Sequence, residues 1–121
     1  MCIVTDRYGQ MEKIVEQGLL YDFYGELLTE HQKKIFEDAV YGDLSLSEIA
    51  AMQGISRQGV HDLLKRSTKI LESYENKLHL VEKFVSTKDK IREIGSIVSA
   101  MENSLEKEKL QQLTKEILED L

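Results

Sequence analysis

Three histidines, one cysteine and 22 carboxylates are the groups that could do acid–base, nucleophilic or metal chemistry in this chain of 121 residues. His31, His61 and His79 stand 30 and 18 residues apart, with no HExxH and no Cys/His spacing, so each reads as a surface or boundary histidine. Cys2 alone excludes an internal disulfide framework and a Cys-rich zinc site, and a lone thiol fits a reducing, cytoplasmic location. The seven glycines are scattered, so no phosphate-cradling loop is present. Glu102, Glu106 and Glu108 fit a solvated helix face. No catalytic residue, metal, cofactor or small-molecule substrate is expected.

The residues that do carry information lie in Leu46–Lys65, LSEIAAMQGISRQGVHDLLK. A helix-turn-helix needs a small residue where its helices cross, and Ala50 supplies it. It needs a residue tolerant of positive φ in the turn, which Gly54 provides. Buried aliphatics must flank that turn, and Ile49, Ile55, Val60 and Leu63 do so, while Ser56 caps the second helix. Val60, Leu63 and Leu64 face inward on that helix, leaving a polar face of Arg57, Gln58, His61, Lys65 and Asp62. The candidate binding residues are Ser56, Arg57, Gln58, His61, Lys65, Arg66 and Lys69. Arg57 and Gln58, in the first turn, have the donors to read guanine and adenine edges. Lys65, Arg66 and Lys69 suit phosphates. The plain alternative is a solvated helix face, or a helix-turn-helix used as a protein-docking or dimer scaffold.

The overall charge of −6 argues against a nucleic-acid partner, but its distribution does not. Residues 1–56 hold 4 basic and 10 acidic side chains, 57–92 hold 9 and 5, and 93–121 hold 3 and 7. The basic segment coincides with the candidate recognition helix. Asp62 beside the contact face and Gly59 within the helix both weaken autonomous DNA binding. With about four phosphate contacts the salt slope is about −3.6, a loss of roughly a hundredfold between about 50 and 200 mM salt. A monomer should therefore bind poorly, and a dimer or carrier complex is expected.

The elements that position these residues are all helical. The chain has no proline, and no strand pattern or internal repeat is visible. Residues 1–10 show no helical period and are expected to be a flexible tail, and Ile3-Val4 is far too short an apolar run for a signal peptide. No apolar run approaches the roughly 20 residues that span a bilayer, so membrane insertion is not expected. A broad apolar stripe predicts a helix over Met11–Leu28. Thr29-Glu30-His31-Gln32 and Ser45-Leu46-Ser47-Glu48 read as capping boxes, with Leu44 and Ile49 placed as a staple and Gly42 as a stop. The three-to-four spacing through Leu71, Tyr74, Leu78, Val81 and Val85 predicts one long helix from Ser56 to about residue 85. Ser86-Thr87 and Asn103-Ser104 then mark two further helix starts. The expected organisation is a tail over 1–10, a helical domain over 11–85 with its helix-turn-helix at 46–66, and a C-terminal helical extension over 86–121. The aromatic set Tyr21, Phe23, Tyr24, Phe36, Tyr41 and Tyr74 is spaced for core packing rather than base stacking.

Leu28 to about Leu71 resembles the helix-turn-helix of region 4 in sigma-70-type factors, through LTEHQKKIF and LSLSEIAAMQGISRQGVHDLLKR. With LLYDFYGELLTEHQ before it and ILESYENKLHLVEKF after it, the chain is similar to the YlxM (UPF0122) family of small bacterial proteins over about residues 12–85. Ser56, Arg57, Gln58, Val60, Asp62, Lys65 and Arg66 stand where that family has SRQAVYDNIKR, while Gly59, His61 and Leu63-Leu64 depart from it. The resemblance implies an all-helical protein with a regulatory or accessory role in the bacterial signal recognition particle pathway, a role inferred from gene neighbourhood with the particle's GTPase. It implies contact with the particle's RNA or that GTPase, and no catalytic residues. The other reading is a sequence-specific DNA-binding transcriptional regulator. The amphipathic stripes from Ile91 to Leu121 suit a homodimer contact, or an acidic cover over the basic face of the same molecule.

Overall fold

A computed structural model describes residues 13–121, and the expectations for the tail at 1–10 and for Met11 lie outside them. Among the described residues there are six α-helices, one 3-10 turn and no strand. They are α1 (Lys13–Tyr24), the 3-10 turn Gly25–Leu27, α2 (Glu30–Val40), α3 (Leu46–Gln53), α4 (Arg57–Leu78), α5 (Leu80–Ser99) and α6 (Leu105–Asp120). The chain divides into two compact units between Val81 and Glu82.

Both expected capping boxes form. Thr29 Oγ1 accepts from the Gln32 amide, and the Gln32 side chain accepts from the Thr29 amide. Ser45 and Glu48 do the same for α3, and the amide held by Glu48 keeps that carboxyl below its ordinary pKa. Leu44 packs on the cluster that contains Ile49, as a staple requires. Gly42 follows the end of α2, but the left-handed residue there is Asp43, at φ 52°. Glycine is needed at 42 for another reason: a Cβ would lie 2.9 Å from the Asp38 carbonyl oxygen.

The helix-turn-helix is α3, Gly54–Ser56 and α4. Ile49, Ala50, Val60 and Leu63 form one buried cluster with Ile35 of α2, and Ile55 and Leu64 pack around it. The Gly54 and Ile55 amides both return to the Ala50 carbonyl, closing the end of α3. This closure sets Gly54 at φ 68° with open space where a side chain would point. Gly54→Ala should therefore cost about 1–2 kcal/mol from backbone strain alone. Urea unfolding measures it, and a loss below about 0.3 kcal/mol would mean the turn is not held left-handed.

Helix α1 packs on α4, where Tyr24 stacks on Tyr74, and its partners at α2 are aromatic. Tyr21 stacks on Phe36 with ring centroids 5.1 Å apart. Tyr41 Oη sits 3.1 Å from the Gly18 carbonyl and 3.0 Å from Asp22 Oδ1. Tyr24 and Phe36 are core residues, whereas Phe23 and Tyr41 remain exposed.

The long helix ends earlier than its apolar period predicts. α4 stops at Leu78, His79 turns left-handed at φ 58°, and α5 begins at Leu80. The cause is a buried polar pair that Tyr24 of α1 makes with Glu75 of α4. Tyr24 Oη donates to Glu75 Oε1 at 2.6 Å, with both residues almost fully buried. The same two oxygens accept the first amides of α5, Leu80 N–H to Tyr24 Oη at 3.2 Å and Val81 N–H to Glu75 Oε1 at 2.9 Å. A new helix start is thereby satisfied inside the core. Ser86-Thr87, expected as a helix start, lies in the middle of α5. Ser104 does cap α6, accepting from the Lys107 amide.

Candidate nucleic-acid interface

Helix α4 is amphipathic because the residues inside it recur at three and four. Val60, Leu63, Ser67, Leu71 and Glu75 are buried, and the opposite side is left to water. All seven candidate residues fall on exposed backbone positions of this helix or its cap. Ser56 is the N-cap: its Oγ accepts from the Gly59 amide at 2.9 Å, which leaves only its O–H to donate elsewhere.

Asp62 divides the outward groups into two kinds. Its Oδ1 accepts from Gln58 Nε2 at 3.0 Å and lies 3.5 Å from His61 Nδ1. Gln58 is therefore held by a carboxylate on its own helix, with the His61 ring beside it. Arg57, Lys65, Arg66 and Lys69 are exposed, and none of them forms an ion pair or side-chain hydrogen bond among the described residues.

The structure gathers His61, Lys65 and Lys69 along a groove of about 400 Å³ between α1 and α4. Lys13 and Gln17 of α1 line it as well, with Leu64, Thr68 and Glu72 of α4. Three lysines against one glutamate make the groove basic. Ser56, Arg57, Gln58 and Arg66 are not part of it. Lys13 and Gln17 were not among the residues the sequence singled out. Their spacing of four puts them in line on α1, but only the packing of α1 on α4 brings them beside the lysines. What the groove offers is cationic donors for an anionic, phosphate-bearing backbone.

Capped short helices, an αL glycine at the turn and a long second helix with a charged outer face define a helix-turn-helix protein. Comparison with known sequences places it further. The family model described as "Putative helix-turn-helix protein, YlxM / p13 like" (UPF0122) matches residues 11–117, and the chain belongs to this family. A UPF0122 protein of Acetivibrio thermocellus is 44% identical over 94 residues, 78% of this chain and 80% of that protein. One from Caldanaerobacter subterraneus is 51% identical over 80 residues, 66% of this chain and 68% of its own. One from Clostridium acetobutylicum is 37% identical over 111 residues, 92% of this chain and 96% of its own. The family match thus runs past residue 85, where the sequence motifs become less distinctive, through most of α6. Among the described residues, no helix is long and apolar enough to cross a membrane.

Proposed function

We propose that this chain is a non-enzymatic, cytoplasmic accessory protein of the bacterial signal recognition particle pathway that binds nucleic acid through the exposed face of α4. One observation carries the nucleic-acid part: Arg57, Lys65, Arg66 and Lys69 stand exposed on one helix without carboxylate partners among the described residues, while the rest of the chain is acidic. The pathway assignment rests on the family resemblance, with the particle's RNA as the preferred partner and its GTPase as the protein alternative. A single recognition helix binds weakly, so the reading includes a homodimer.

The arrangement favours backbone contact over base reading. Gln58, the one amide in the first turn, is engaged by Asp62, whereas the free lysines lie further along the helix. A sequence-specific DNA regulator remains the second reading, favoured by the unpaired Arg57 at the position where a recognition helix meets bases.

Arg57→Ala separates the two. Under the RNA reading it weakens binding to every nucleic acid by a similar factor. Under the DNA reading it costs about 1–3 kcal/mol on the preferred site and relaxes preference at one base pair. The deciding experiment isolates the native protein with its bound nucleic acid and titrates it against particle RNA and DNA duplexes at fixed salt. Recovery of promoter fragments alone would remove the particle reading.

A further inference from the structure

The second compact unit, from Glu82 onward, is a helical hairpin that buries little. Its two helices are joined end to end by capping: Lys107 Nζ of α6 reaches the Ser99 and Met101 carbonyls at the end of α5, at 3.2 and 3.0 Å. Along the hairpin α5 and α6 lie close, a Cβ on Gly95 falling 3.5 Å from Thr114 Cγ2. Only Ile91 and Val98 are buried in this unit.

The two sides of the hairpin differ. One side is a groove of about 600 Å³ with Arg92, Ser96 and Ser99 on α5 facing Gln111, Lys115 and Glu119 on α6. About half a turn away on each helix runs an apolar stripe. Ile94, Ile97 and Met101 form it on α5, and Leu110, Leu113 and Ile117 on α6. Because the polar stripes share one side of the hairpin, the apolar stripes share the other. All six residues are between 39% and 61% exposed.

We infer that this face is covered by the same face of a second copy, the two hairpins closing into a four-helix bundle. Spacing, area and charge each point to that occupant. On both helices the stripe steps by three and then four residues, the seam of helices that pack at a shallow left-handed crossing. With Leu121, the exposed fractions add to about three whole side chains, roughly 600 Å² of apolar surface per copy. A standard interface takes about 800 Å² from each partner, some two-thirds of it apolar in homodimers. Residues 82–121 carry seven basic and nine acidic side chains, so two copies barely repel, and no strongly charged partner is selected. A unit of about 40 residues also lacks the core to be stable alone, a lack that oligomerisation commonly supplies. The inference gives the homodimer of the preceding reading its surface, yet its test uses no nucleic acid, so either can fail without the other.

Sedimentation equilibrium of the full chain, 14.0 kDa as a monomer, tests it. The wild type should run as a dimer at about 100 µM. Ile97→Glu combined with Leu113→Glu should run as a monomer. The gentler pair Ile97→Ala and Leu113→Ala, both compatible with helix, should weaken the dimer at least tenfold while keeping the far-UV helical signal. Ser96→Glu with Gln111→Glu, across the hairpin, should leave the dimer unchanged. A monomeric wild type would mean that another part of the chain or another protein covers the face, and would overturn the inference. So would a dimer that resists the Ile97 and Leu113 variants, or one that the Ser96 and Gln111 pair dissolves.

Discussion

Tyr24→Phe is expected to lower the unfolding free energy by about 2–3 kcal/mol, the cost of leaving buried polar groups without their partner. The substitution keeps the ring that stacks on Tyr74 at 6.1 Å and removes only the hydroxyl. That hydroxyl donates to the fully buried Glu75 and accepts from the Leu80 amide, so its loss leaves one buried oxygen and one helix-start amide with weaker partners. Tyr74→Phe, on the same stack, is the control and should change stability by less than about 0.5 kcal/mol. The pH dependence gives a second signature. Burial, then the bond to Glu75, pushes the Tyr24 hydroxyl from 10.0 up to about 12. The folded state holds that proton more tightly than the unfolded state, so this stabilisation is present below pH 10 and is lost as pH rises through about 12. Tyr41, whose hydroxyl is raised to about 12 by local desolvation and by its bond to Asp22, titrates in the same window and persists in the variant. Tyr24→Phe should therefore shallow the alkaline loss of stability without abolishing it. Urea unfolding at pH 7 and across pH 9–12 measures both effects. An unchanged free energy together with an unchanged alkaline limb would remove Tyr24 from the junction.

Lys65→Ala combined with Lys69→Ala should halve the salt dependence of nucleic-acid binding. If Arg57, Lys65, Arg66 and Lys69 each neutralise one phosphate, the slope of log affinity against log salt is about −3.6 for the wild type and about −1.8 for the variant. Between about 50 and 200 mM salt the wild type then loses roughly 150-fold in affinity and the variant roughly 12-fold. Both lysines are exposed and unpaired, so folding stability should stay within about 0.5 kcal/mol. Fluorescence anisotropy over a salt series reads the slope directly. An unchanged slope would place the nucleic acid elsewhere on the chain. Adding Lys13→Ala asks whether α1 takes part, and a further fall of about 0.9 would show that it does.

How much was legible follows from the range of the forces involved. Ser45 with Glu48, Thr29 with Gln32, Ser56 and Ser104 are caps whose partners lie three residues away, so the local sequence specifies them fully. Gly54 declares itself because few other residues tolerate its φ. The end of α4 was not legible. Neither glycine nor proline stands near residue 79, and the apolar period runs on through Val81 and Val85. What breaks the helix is a hydroxyl from Tyr24, more than fifty residues away, bonded to a carboxylate the sequence shows only as one more glutamate.

The same division holds for the candidate interface. The sequence by itself determined an all-helical chain, a helix-turn-helix at 46–66 and a basic outer face on its second helix, because period, caps and charge are properties of neighbouring residues. Which residues of another helix stand beside those charges is settled by packing. The Gln58–Asp62 bond is a contact of residues four apart on one helix, whereas packing of α1 on α4 sets Lys13 and Gln17 beside Lys65 and Lys69. A groove is made by atoms that meet across a fold, and the energy of such meetings is not written in the spacing of residues along one helix.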